Sequence, residues 1–148
     1  INGSDTPNQR LAIGCSSLGG LISCYAAYTR PEVYDRAICM SSSFWWNNED
    51  FLNSVLKNKT DVRLYLDSGD AGTSQDGKNQ TVSVRTKLEK MGYQLNSTLF
   101  YYLDQGGQHS GITGEGDSTS PLATSTVDLV TAHELSISRF SSGEITPI

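Results

Sequence analysis

A chain of 148 residues, 36% hydrophobic and 18% charged, is long enough to bury one core, and its net charge of −5 disfavours nucleic acid and anionic membrane as partners. No apolar run approaches the roughly 20 residues that a membrane span requires. Two distant histidines and three cysteines without a Cys-x-x-Cys pair offer no metal-ligand spacing, so neither metal nor cofactor is expected.

Residues 1–10 form a polar lead-in, with Thr6-Pro7-Asn8 disfavouring helix. Leu11 to Gly14 then read as a short strand, Cys15-Ser16-Ser17-Leu18-Gly19-Gly20 as a small-residue turn, and the segment from Leu18 as a helix that stops before Pro31. Its apolar face carries Leu21, Ile22, Tyr25 and Ala26. A strand, tight turn and helix in this order hold the central serine, Ser17, at the top of a parallel sheet with its hydroxyl exposed. The pattern G-x-S-x-G is met at Gly19, with Cys15 in place of the first glycine. Taking Ser16 instead keeps Gly14 but puts Leu18 at the last glycine. A small-residue connection without chemistry is the competing explanation.

Arg36 to Met40 suits a buried parallel strand, followed by the loop Ser41-Ser42-Ser43, the aromatic cluster Phe44-Trp45-Trp46 and a helix from Asn48 to Leu56. Val62 to Leu66 is the third strand, and Asp67 to Lys78 a long loop. Gln80 to Met91 is an amphipathic helix closed by Gly92, and Thr98 to Leu103 the fourth strand. Strands alternating with helices predict an α/β fold, a parallel sheet with helices on both faces. The whole chain is expected to be one domain, with 110–148 a Gly/Ser/Thr-rich tail and a last helix over Val127 to Phe140.

Function in open α/β sheets collects at the carboxyl ends of the strands. Ser17 follows the first strand, Asp70 and Asp76 the third, and His109 the fourth. That is the order of a Ser-Asp-His triad, in which histidine takes the serine proton and a carboxylate holds the histidine. His109 is favoured as the base over His133, which has no such context. Asp76 is favoured slightly as the acid, with Asp70 the alternative and Asp67 a turn cap. The backbone N–H of Leu18 is the one oxyanion donor in evidence.

The run IGCSSLGGLISCYAAYTRPEVYDRAICMSSSFWW, then RLYLDSGDAG…DG, then FYYLDQGGQH, resembles the esterase group of α/β-hydrolases that includes enterochelin-esterase-like and esterase D-like proteins. The resemblance covers Arg10 to His109 and corresponds to the carboxyl-terminal half of that fold. It implies hydrolysis of small-molecule carboxylic esters through an acyl-enzyme, with Ser17 as nucleophile, His109 as base and the acid after Leu66. It also implies a substrate pocket lined by Phe44, Trp45 and Trp46, for which a hydrophobic plug under a loop is the alternative. The chain departs from the group at Cys15 and after His109. It also lacks the strands that should precede the nucleophile and supply a second oxyanion donor. Another chain or a missing amino-terminal portion is therefore expected to cover the open sheet edge.

Asn2, Asn58, Asn79 and Asn96 all stand in N-x-[ST] sequons, which favours a secreted glycoprotein. Cys15, Cys24 and Cys39 lie in apolar settings and are expected as buried free thiols. A catalytically inactive glycoprotein that uses the hydrolase scaffold as an interaction module is the alternative function.

Overall fold

The computed structural model describes residues 10–109. The chain divides into two units, Ile1–Gln108 and Ile148-terminated His109–Ile148, and the first holds all the described elements. The last helix expected over 127–140, the tail and the Asn2 sequon lie outside the described residues.

Four strands, β1 (Leu11–Ser16), β2 (Tyr34–Met40), β3 (Arg63–Gly69) and β4 (Leu99–Asp104), form one parallel sheet in the order β1-β2-β3-β4. The connections carry α1 (Ser17–Thr29), α2 (Trp46–Asp50) with a π-helical turn over Phe51–Val55, and α3 (Lys78–Lys90). Each crossover steps to the next strand in the same direction. Right-handed crossovers of that kind bring all the helices to one face.

Burial bears this out. Ile13, Ala37, Leu64 and Leu99 share a register row, as do Cys39, Leu66 and Tyr101. Both rows join one core with Leu21, Cys24, Ala27 and Tyr28 of α1, Phe51 and Leu56, and Val84 and Leu88 of α3. The described helices thus cover one face of the sheet, where both faces were expected. The opposite face presents Ile38, Tyr65 and Phe100 side by side.

Two boundaries differ from expectation. β3 continues through Asp67, Ser68 and Gly69, poor strand formers, because these residues pair with β4 as far as Gly69 opposite Asp104, beyond the end of the pairing with β2 at Leu66. The second helix is broken, since Asn47, Asn48 and Glu49 take left-handed φ of 50°, 55° and 59°. Two consecutive asparagines make that conformation accessible.

Phe44 is 1% exposed and stacks on Phe51 at 5.4 Å between ring centroids. Phe44→Ala is expected to cost about 3–5 kcal/mol, the usual range for emptying a buried aromatic site. Urea denaturation of the 148-residue chain measures it, and a loss below about 1 kcal/mol would remove Phe44 from the core.

Candidate active site

The turn between β1 and α1 is sharp. Ser17 has φ of 59°, a left-handed conformation that a residue with a Cβ adopts only when its surroundings impose it. Ser43 helps to impose it: its N–H donates to the Ser17 carbonyl oxygen at 3.1 Å, and its Oγ lies 3.4 Å from Ser17 Oγ. Ser17 is half-buried, and α1 begins at it. The first N–H groups of a helix have no intrahelical partner, and Leu18 supplies one of them.

The small residues of the turn have separate reasons. A Cβ at Gly20 would come within 2.9 Å of the Met40 carbonyl oxygen and 3.0 Å of the Cys15 carbonyl oxygen. A Cβ at Gly19 would meet the Cys15 side chain, 2.9 Å from its Cβ. Cysteine at the first elbow position is therefore accommodated by the glycine opposite it. Cys24 and Cys39 are buried and free as expected, whereas Cys15 is free but exposed. Its strand pairs on one side only among the described residues. Burial pushes the Cys39 thiol well up, and the neighbouring Cys24 adds to it.

At the ends of β2 and β3 lies a carboxylate network centred on Ser41, in the loop that leaves β2. The Ser41 N–H donates to Asp67 Oδ1 at 2.6 Å, and Ser41 Oγ donates to Asp76 Oδ2 at 2.7 Å. Asp76 Oδ2 also accepts from the Gly69 N–H at 2.7 Å, and both aspartates are buried. Asp67 thus ties β2 to β3 instead of capping a turn. Burial first, then the Asp67 charge, pushes the Tyr65 phenol far above its ordinary range.

Asp70 has different surroundings. Its Oδ1 accepts from the Gly106 N–H at 2.7 Å, its Oδ2 lies 3.6 Å from Lys78 Nζ, and the Gly106 bond holds its carboxyl below the ordinary range. The Ala71 N–H donates to the Gly107 carbonyl oxygen at 2.9 Å, and Gly69 leaves no room for a Cβ against Gly107. Asp70 is a latch between the loops that leave β3 and β4. His109 follows the second of these loops and is the first residue of the second unit.

The aromatic cluster divides. Phe44 is in the core, while Trp45 and Trp46 are about half exposed. Trp45 stands beside Gly77, next to Asp76, and Trp46 lines an apolar groove of about 230 Å³ with Leu21, Ile22, Tyr25 and Phe51. The sequon residues Asn58, Asn79 and Asn96 are exposed. Among the described residues no cluster of His, Cys, Asp or Glu could hold a metal ion, and no helix is long and apolar enough to cross a membrane.

A protein-family model described as "Putative esterase" matches residues 2–110. The chain belongs to this esterase family. The siderophore enterobactin esterase of Emericella nidulans is 28% identical to the chain over 80 residues, which cover 54% of this chain and 26% of the relative. The chain thus spans about a quarter of that relative's length. Among solved structures, the enterobactin esterase of Shigella flexneri superposes with a TM-score of 0.53 at 19% identity, covering 65% of this chain and 26% of the other. An IroE-like serine hydrolase from Shewanella oneidensis gives 0.51 at 18%, covering 66% and 34%. These likenesses establish the fold, a parallel sheet flanked by helices as in the α/β-hydrolase-like esterases.

Proposed function

We propose that this esterase-family chain carries the nucleophile elbow and acid of a serine esterase that cleaves small-molecule carboxylic esters. The observation that supports it most is Ser17 in a left-handed conformation between a parallel strand and the helix it opens. Ser17 Oγ attacks the ester carbonyl as His109 takes its proton, and the alcohol leaves with a proton returned by His109. Water then releases the acid from the acyl-enzyme by the same route. Asp76 stabilises the imidazolium, held in place by Ser41 and Gly69, and the Leu18 N–H donates to the oxyanion. Trp45 and Trp46 border the substrate.

Siderophore esters of the kind named for the relative are the first substrates to try. A second oxyanion donor and a cover for the β1 edge, where Leu11 is 57% exposed, come in this proposal from a further portion of the protein or another chain. The test is reaction of the natively isolated protein with a fluorophosphonate, followed by peptide mapping. An adduct on Ser17 supports the proposal, and absence of any adduct on folded protein refutes it.

The extracellular placement is also a proposal, supported by the exposure of Asn58, Asn79 and Asn96. Digestion with a peptide N-glycosidase is expected to lower the mass of the protein from its native source. An unchanged mass would remove that support.

A further inference from the structure

The loop that leaves β2 touches both ends of the proposed catalytic arrangement. Met40, the last residue of β2, is the register partner of Ser16, so the loop starts beside the turn that carries Ser17. Its first residue, Ser41, holds Asp76 through Oγ. Its third, Ser43, meets Ser17 twice, through the backbone N–H at 3.1 Å and through Oγ at 3.4 Å. One short segment thus spans from the acid to the nucleophile.

That segment is firmly held. Ser41 takes a left-handed φ of 39°, and its N–H donates to Asp67 Oδ1. Ser42 and Ser43 are buried, the Phe44 ring is in the core, and the Trp46 N–H donates to the Ser43 carbonyl oxygen at 3.0 Å. A side chain can orient another group only when its own backbone is fixed, and that of Ser43 is.

A serine hydroxyl carries one proton and two lone pairs, and its oxygen turns among three staggered χ1 wells. In the esterase mechanism the Ser17 proton goes to His109, so a second hydroxyl that bonds to Ser17 Oγ must be the donor. We propose that Ser43 is a positioning residue, whose O–H donates to Ser17 Oγ and holds that oxygen in the rotamer that faces the ester carbon. The inference rests on Ser17 being the nucleophile, and adds to that reading the group that aims it. At 3.4 Å the contact is longer than the usual 2.7 to 2.8 Å or so between hydroxyls, and hydrogen bonds at catalytic groups commonly tighten once substrate is bound. Without the donor, Ser17 Oγ spreads over the other wells, a loss of about threefold, and leaves the attacking position, where an error of about 1 Å costs up to about a hundredfold.

Ser43→Ala removes the hydroxyl and keeps the N–H bond to the Ser17 carbonyl oxygen. The test is the rate of fluorophosphonate capture against probe concentration, which separates the maximal rate from the affinity for the probe, in the wild-type protein, Ser43→Ala and Ser42→Ala. The maximal rate is expected to fall about tenfold in Ser43→Ala, with the half-saturating concentration within about twofold of wild type. Ser42→Ala, which removes a buried hydroxyl from the same loop, is expected to keep the maximal rate within about twofold. A maximal rate undiminished in Ser43→Ala, or an equal loss in Ser42→Ala, overturns the proposal and leaves Ser17 as the nucleophile. No capture by the folded wild-type protein overturns the esterase reading and this one with it. Ser43→Cys, which replaces the hydroxyl by a weak S–H donor, takes the place of Ser43→Ala if that variant does not fold.

Discussion

Ser17→Ala is expected to abolish fluorophosphonate capture and to lower ester turnover by about a million-fold, the scale seen when a triad nucleophile is removed from a serine hydrolase. Alanine keeps the Cβ and pays the same left-handed backbone cost as serine, so stability should move by less than about 1 kcal/mol. Turnover by the purified protein, with and without the substitution, measures the first effect, and thermal unfolding the second. An enzyme that hydrolyses esters equally well with alanine at 17 would have its nucleophile elsewhere. A folded wild-type chain with no turnover and no adduct would favour the alternative of a scaffold without chemistry.

Asp76→Asn is expected to lower turnover by about ten-thousand-fold, the cost of setting the histidine in the wrong tautomer. Asp70→Asn should cost less than tenfold. The argument rests on surroundings. Asp76 is buried and takes two hydrogen bonds on Oδ2 from residues at the ends of β2 and β3. Asp70 is spent on Gly106 and Lys78 at the surface. Ser41→Ala removes a donor to Asp76 and should give an intermediate loss with KM little changed. Parallel kcat and KM determinations on the three variants decide between the acids, and a larger loss in Asp70→Asn than in Asp76→Asn would reverse the assignment.

The fold was legible because each strand is a short apolar run bounded by small or polar residues and α3 has an apolar stripe; on α1 the expected face is displaced, since Ile22 and Tyr25 are exposed while Cys24, Ala27 and Tyr28 are buried. The tight turn from β1 into α1 was legible because close approach of the two demands small side chains at Gly19 and Gly20. Other features were not. The extension of β3 through Asp67-Ser68-Gly69 depends on its neighbours, and the strand propensity of those residues argues against it. The roles of Ser41 and Ser43 depend on tertiary partners far away in the chain, and a run of three serines carries no signal of which hydroxyl meets which carboxylate. Confinement of the described helices to one face follows from the strand order, which periodicity does not encode. The pairing of Arg36 with Arg63 was hidden for the same reason: they become neighbours only through the register.

That strand order bears on how the chain reaches its native state. Ile13 pairs with Ala37, Ile38 with Tyr65, and Leu64 with Leu99, so β2, β3 and β4 each dock onto the described strand synthesised just before. Among the described strands, none has to insert between two that are already paired. The sheet can therefore lengthen one strand at a time as the chain leaves the ribosome, each step closing a modest loop. From β2 to β4 the growing edge is always the newest strand.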